Sequence, residues 1–144
     1  MHIITITAYI DSPPLRVWEL VGNFGGLTAW SRAAQGCRLE GEGVGCHRVI
    51  TLAGGEVRER LEERDGASMR LAYSVISGST LPVTGMRATL QLTPNAQGGT
   101  RVDWTLEGEP QGAPAEVAAL LQPRYAARLE ELREAASTPR KGLS

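Results

Sequence analysis

The chain has 144 residues, the size of one ordinary domain, and carries a formal net charge of −1. This charge balance argues against a nucleic-acid-binding protein, which normally has a basic face. No apolar run approaches the roughly 20 residues that a membrane span needs. The N-terminal segment alternates like a strand and lacks the features of a signal peptide, so we expect a cytoplasmic protein.

Cysteine and histidine are scarce. Cys37 and Cys46 are too few for a disulfide scaffold or a structural zinc site, and His2 and His47 are far apart in the chain. Cys46 and His47 are adjacent on a predicted strand, so their side chains point to opposite faces and cannot pair. We therefore expect neither a metal nor a cofactor.

The N-terminal region predicts one strand followed by two short helices. Apolar residues alternate from Ile4 to Ile10, which is typical of a half-buried strand. Ser12 is predicted to cap the next helix, with Pro13 at its first position. A second helical turn is predicted over residues 27–30.

Six further strands are predicted in quick succession. Gly54-Gly55 and Asp65-Gly66 are strong short-range signals for hairpins. Hairpins between consecutive strands make an antiparallel meander. The predicted strands cover residues 35–40, 46–53, 56–64, 68–77, 85–93 and 100–109.

The C-terminal region predicts a long helix from Pro114 to about Ala136, rich in Ala, Leu, Glu and Arg. Pro123 removes one backbone hydrogen bond and is predicted to bend this helix. Arg124, beside that bend, either approaches the space under the helix or is a solvent-facing charge. Residues 1–136 are predicted to form one domain, followed by a disordered tail over 137–144. One apolar face is predicted from the helical spacing of Leu121, Tyr125, Leu129 and Leu132.

Strand alternation predicts which side chains face the helix. The predicted inner face is mainly apolar, but Arg48, Glu59 and Tyr73 interrupt it. The same alternation places Glu63 inward and Arg64 outward, in a row of solvated charges that begins at residue 56. The apolar inner positions are Ile50, Leu52, Val57, Leu61, Leu71, Val75, Met86, Ala88, Leu90, Leu92, Val102, Trp104 and Leu106.

Arg48 and Glu59 are predicted on strands joined by the Gly54-Gly55 turn. Pairing about that turn puts Arg48 near residue 61 or 62 and Glu59 near residue 50 or 51, so that the long arginine meets the glutamate diagonally. An unpaired buried charge is costly. Two interpretations remain open: an ion pair that only satisfies itself, and a pair that faces a wet cavity and orients a ligand.

Several short motifs occur in a characteristic order along the chain. They are Ile10-Asp11-Ser12-Pro13, Val17-Trp18-Glu19-Leu20, Trp30, Gly43-x-Gly45-x-x-Arg48, Glu59-Arg60-Leu61 and Val102-x-Trp104. This order resembles the START-like (SRPBCC) superfamily, and the chain is most similar to its small bacterial polyketide cyclase/dehydratase-type members, over about residues 1–135. It is more distantly similar to the plant abscisic-acid receptors and to the birch-pollen-allergen (Bet v 1-like) fold.

The resemblance implies an α+β helix-grip fold, in which a seven-stranded antiparallel sheet curves around a long C-terminal helix, with two short helices after the first strand. It also implies a deep apolar cavity between sheet and helix. Glu59 matches a ligand-facing glutamate of the plant receptors, and Arg48 and Tyr73 are the further catalytic candidates. The expected ligand contacts are Trp30, Ile50, Leu52, Leu71, Val75, Met86, Ala88, Leu90, Trp104, Leu121 and Tyr125.

Two functional hypotheses follow for a protein that binds a hydrophobic small molecule. The first is a cofactor-free cyclase, aromatase or dehydratase acting on a polyketide-like metabolite, with Glu59 as general acid/base and Arg48 or Tyr73 steadying an oxyanion. The alternative is a carrier or sensor without chemistry. A third hypothesis is a protein-partner module that uses the charged row over residues 56–64. A homodimer is compatible with each of them.

Overall fold

A computed structural model describes residues 1–137, which form seven strands, two α-helices and one short 3-10 helix. The helices are α1 (Pro14–Val21) and α2 (Pro114–Ser137), and the 3-10 helix (Leu27–Ala29) follows α1. The strands are β1 (His2–Ile10), β2 (Gly36–Glu40), β3 (His47–Leu52), β4 (Gly55–Asp65), β5 (Arg70–Ser77), β6 (Val83–Pro94) and β7 (Thr100–Pro110).

The seven strands form one antiparallel sheet in the order β1-β7-β6-β5-β4-β3-β2. Each strand from β2 to β6 pairs with the next strand in the chain, so the predicted meander is confirmed. The first strand pairs with the last one, and β1 and β2 are therefore the two edges of the sheet. The sheet curves around α2, which is the predicted helix-grip fold.

The core lies between α2 and the concave face of the sheet. Every predicted inner position of β6 and β7 is buried, and Leu121, Leu129 and Leu132 of α2 are buried opposite them. Full burial of a large apolar side chain contributes about 1.5–3 kcal/mol to the free energy of unfolding. These contacts hold α2 against the concave face of the sheet.

The start of α1 differs from the prediction. Pro13 takes the N-cap position in an extended conformation, Pro14 opens the helix, and no side chain caps it. Ser12 lies one residue before the N-cap position and is buried, and its carbonyl accepts a hydrogen bond of 2.8 Å from the Thr100 hydroxyl. The predicted cap is therefore wrong, and this segment ties the helix start to β7 instead.

The register of the β3–β4 hairpin also differs from the prediction, by two or three residues. Leu52 pairs with Gly55, so the loop is Ala53-Gly54 and Gly55 already belongs to the strand. Gly55 has a φ of 141°, which is a conformation that glycine adopts without steric cost. As a result Arg48 lies directly opposite Glu59, and no diagonal reach is needed.

A β-bulge reverses the side-chain alternation near the end of β4. The pairing with β5 shifts by one residue between Leu61 and Glu63. Glu63 therefore leaves the inner face and binds the Arg70 side chain, with 3.0 Å between Oε1 and Nε. Arg64 turns toward α1, and its guanidinium carbon lies 5.3 Å from the Trp18 ring. The inward prediction for Glu63 is therefore wrong, because a bulge cannot be read from alternation, whereas Arg64 is exposed as predicted.

Helix α2 begins at Pro114 and runs through Pro123 to Ser137, one residue beyond the predicted end. Pro123 has no N–H to donate, so one backbone hydrogen bond of the helix is missing. The bend expected there stays a prediction, and the rest of the predicted tail, 138–144, lies outside the described residues. Among the described residues, neither helix combines the length and the apolar character needed to cross a membrane.

Candidate functional site

A cavity of about 550 Å³ lies between α2 and the concave face of the sheet. Small-molecule sites typically have volumes of this order. Exposed residues of the β3–β4 turn and of the β5–β6 loop line its mouth. Most of the expected ligand contacts line its wall: Trp30, Ile50, Leu52, Leu71, Val75, Met86, Leu90, Trp104 and Tyr125.

Two expected contacts do not line the cavity. Ala88 lies between Tyr73 and Leu106 in the sheet, and its short side chain is completely buried. Leu121 is also completely buried, in the apolar core one helical turn before Tyr125. Strand parity and helix periodicity identify the buried face, but they do not separate residues that border a void from residues that are packed on all sides.

Sequence reasoning missed several lining residues of the N-terminal region and of α2. Val21, Leu27 and Ala34 close the cavity near the two N-terminal helices. Arg128 of α2 also lines the cavity. The spacing of four residues between it and Arg124 was a signal, since such residues share one side of a helix.

Glu59 and Arg48 form an ion pair in the cavity wall. Both side chains are buried, with exposed fractions of 9% and 6%. Arg48 places its Nε at 2.8 Å and its Nη2 at 2.7 Å from Oε1 of Glu59. Within the described part of the chain, Oε2 of Glu59 accepts no hydrogen bond. One carboxylate oxygen is therefore held by the arginine, and the other remains unengaged by the protein.

Besides Glu59, two aromatic residues hold the Arg48 guanidinium in place. Its Nη1 donates a hydrogen bond of 3.1 Å to the carbonyl oxygen of Phe24. Its central carbon lies 4.1 Å from the centroid of the Phe24 ring and 4.8 Å from that of the Tyr73 ring. Cation–π contacts of this kind are favourable when the cation is desolvated. The arginine is thus fixed in the orientation that it presents to Glu59.

Burial controls the protonation of the groups in the wall. It raises the pKa of the Glu59 carboxyl above the ordinary value, although the positive charge of Arg48 opposes the rise. Burial also raises the pKa of the Tyr73 phenol, and the neighbouring Glu59 carboxylate adds to this effect. The pKa of Tyr125 is raised for the same two reasons. Both phenols are therefore hydrogen-bond donors at neutral pH.

Three aromatic rings build one side of the wall. Trp104 meets Trp30 with 6.0 Å between ring centroids and meets Tyr125 at 4.8 Å, edge to face in both cases. The indole N–H of Trp104 is buried and forms no hydrogen bond of normal geometry with the described residues. It acts to lower the pKa of the Tyr73 phenol, against the effect of burial. This aromatic part of the wall therefore carries one hydrogen-bond donor in otherwise apolar surroundings.

The described residues contain no cluster of three or more His, Cys, Asp or Glu side chains that could hold a metal ion. Cys37 is half-buried and Cys46 is buried, and both are free thiols. The ionisable and aromatic groups gathered at the cavity are two carboxyls, two phenols, two indoles and three arginines.

A curved antiparallel sheet that grips a long C-terminal helix, with a mainly apolar cavity between them, defines the helix-grip class of proteins. The chain belongs to the family described as polyketide cyclase / dehydrase and lipid transport, which matches residues 1–137. The resemblance to the START-like superfamily is therefore confirmed. This membership and the fold indicate that the protein binds a hydrophobic small molecule.

Solved structures of bacterial proteins share the fold. An uncharacterised protein of Bacillus thuringiensis is 24% identical, with a TM-score of 0.85 over 96% of this chain and 100% of that chain. The protein XoxI of Bacillus cereus is 25% identical, with a TM-score of 0.81 over 92% and 93%. A protein of Thermobifida fusca is 28% identical, with a TM-score of 0.77 over 92% and 91%. No curated protein matches this chain.

Proposed function

We propose that the protein binds a polyketide-like hydrophobic metabolite in its cavity and catalyses a cofactor-free cyclisation, aromatisation or dehydration of it. The observation that carries this proposal is the state of Glu59. Its carboxyl is buried in the cavity wall, Oε1 is held by Arg48 at 2.7 Å, and no described residue binds Oε2. A carboxyl arranged in this way has a fixed position and a free oxygen for a proton.

The cavity itself supplies the orientation that cyclisation needs. A flexible chain folded against the wall brings two of its carbons into contact, and intramolecular orientation of this kind contributes up to about 7–11 kcal/mol to lowering a barrier. The mainly apolar surface offers a flexible apolar chain contacts along its length. The protein therefore contributes shape first and proton transfer second.

The proton transfer assigned to Glu59 balances within the substrate. The carboxylate takes a proton from a carbon next to a carbonyl, and the resulting enolate carbon attacks a second carbonyl carbon of the same chain. The alkoxide formed takes the proton back from Glu59, and the neutral Tyr73 phenol donates a hydrogen bond to it meanwhile. A raised pKa suits this role, since it brings the neutral and ionised forms closer in energy near neutral pH.

A carrier or sensor function is the second candidate, and a different observation favours it. Arg48 uses the Phe24 carbonyl, two aromatic rings and Glu59 as partners, so the buried charges are already satisfied without a ligand. A wall of this kind can bind an apolar compound without changing it. The two candidates differ only in whether the bound compound leaves altered.

The test compares the protein with Glu59→Gln, which keeps the size and a hydrogen-bond acceptor but cannot transfer the proton. Both proteins are incubated with a metabolite extract of the native host, and mass spectrometry follows the compounds that are bound and released. We expect the unaltered protein to convert a bound compound, and Glu59→Gln to bind it and convert it at least about 100-fold more slowly.

The control for this test is Glu107→Gln, an equal change of charge at an exposed position of β7, which we expect to convert at the normal rate. Release of an unaltered compound by both proteins would support the carrier function. Full conversion by Glu59→Gln would remove Glu59 from the chemistry.

A further inference from the structure

Arg124 is a cation at the cavity that no group among residues 1–137 neutralises. It lies on α2, lines the cavity and is exposed. It forms no hydrogen bond or ion pair with any residue between 1 and 137.

The other charges that line the cavity are each paired within the protein. Their pairing leaves Arg124 as an uncompensated positive charge among the lining groups described. The pairs are Arg48 with Glu59 at 2.7 Å, Glu56 with Arg38 at 3.2 Å, and Arg128 with Glu131 at 3.0 Å.

Helix α2 gives Arg124 a fixed and polar neighbourhood. Arg128 lies four residues further along, so both arginines are on one side of the helix with Tyr125 beside them. Glu131, which holds Arg128, also accepts a hydrogen bond of 2.9 Å from the backbone N–H of Arg32. Both arginines line the cavity, and their positive charges oppose the effect of burial on the pKa of the neighbouring Tyr125.

We propose that the ligand is an amphipathic organic anion whose apolar body lies on the aromatic and aliphatic wall and whose acidic group is bound by Arg124 at the α2 side of the mouth. A guanidinium offers a carboxylate two parallel hydrogen bonds, which adds orientation to attraction. The acidic group would set the direction in which the apolar chain enters. This inference deepens the proposed function and rests on it, since it needs the same cavity.

The test uses two fluorescent probes of nearly equal shape, anilinonaphthalene sulfonate and the neutral N-phenylnaphthylamine. The sulfonate stands in for the carboxylate of the ligand. We expect Arg124→Gln to weaken binding of the anionic probe about five- to tenfold and to leave the affinity for the neutral probe within twofold. Arg124→Lys should recover part of the loss, and higher ionic strength should weaken only the anionic probe.

Arg101→Gln is the control, because it removes the same charge from an exposed position of β7 whose partner is Asp103. We expect it to change neither affinity. If Arg124→Gln changes both probes equally, or neither, the anionic-ligand inference is wrong while the cavity still binds. If the unaltered protein binds neither probe, the proposed function itself is contradicted.

Discussion

At the scale of single residues, the site depends on one buried ion pair. Arg48 and Glu59 are held in the cavity wall by each other, by the Phe24 carbonyl and by two rings. Removing both partners of a buried pair can be nearly neutral, whereas removing one partner leaves an uncompensated charge and costs about 3–5 kcal/mol. The stability of the fold and the chemistry proposed for Glu59 therefore depend on the same atoms.

The pH dependence of stability tests this pair. Burial raises the pKa of Glu59, so the folded protein holds that proton more tightly than the unfolded chain does. The resulting stabilisation is complete below the ordinary carboxyl pKa and is lost as the pH rises through the raised pKa. Arg48→Met removes the charge that lowers this pKa. We expect its free energy of unfolding, measured with urea from acidic to alkaline pH, to fall more steeply with pH than that of the unaltered protein.

At high pH the deficit of Arg48→Met should reach about 3–5 kcal/mol. Arg60→Met is the matched control on β4, where the arginine is half-exposed and pairs with Glu62. We expect the control to lose less than about 1 kcal/mol and to keep the normal pH dependence. If Arg48→Met and the unaltered protein gave parallel curves of unfolding free energy against pH, burial would not destabilise the ionised form of Glu59.

At the scale of elements, the β5–β6 loop is held against β4 by a close backbone approach. Gly78 has a φ of 87°, and a Cβ there would lie 2.0 Å from the carbonyl oxygen of Glu56. Only glycine fits such a contact without a shift of the backbone. Because Gly78 also lines the cavity, this contact shapes the mouth.

Gly78→Ala should therefore lose stability for two reasons: alanine is strained at this positive φ, and its Cβ clashes with the backbone of Glu56. Gly43→Ala has only the first of these costs, since Gly43 has a φ of 69° but no atom lies within 4 Å of the position that its Cβ would take. We expect the control to lose about 1–2 kcal/mol and Gly78→Ala to lose at least about 2 kcal/mol more, by urea unfolding. Equal losses would mean that the loop moves away from β4 freely.

At the scale of the whole molecule, α2 has two functions along its length. Its C-terminal half packs into the core through Leu129, Leu132 and Ala136. Arg16 of α1 fastens the same end through a hydrogen bond of 3.0 Å to the carbonyl of Ala135. The part around Tyr125 instead borders the cavity. Helix α2 can therefore pack firmly into the core and still border a void, because mainly different turns of the helix do each.

This division predicts that binding and stability can be separated. Val75→Trp fills cavity space from β5, and we expect it to weaken N-phenylnaphthylamine binding at least about tenfold while changing stability by less than about 1.5 kcal/mol. Leu132→Ala removes a fully buried side chain away from the cavity and should cost about 2–5 kcal/mol while leaving probe affinity unchanged. Unfolding and probe titrations check both, and unchanged binding by Val75→Trp would place the probe elsewhere.

The sequence by itself determined the local structure and the direction of most side chains. Glu59 is committed to the inner face because Val57 and Leu61 are apolar two residues on either side, and the structure confirms that it is buried. The meander and the apolar face of α2 followed equally from periodicity, turn residues and helix propensity. These are properties of a short segment, which its own residues decide.

Only the tertiary structure decided the features that depend on two segments at once. The actual β3–β4 register set Arg48 opposite Glu59, and the bulge before Glu63 reversed the side-chain alternation at the end of β4. The outline of the void separated Tyr125, which borders it, from Leu121, which does not. Periodicity within one segment does not predict strand register, bulges or the outline of a cavity, because these depend on contacts between residues far apart in the chain.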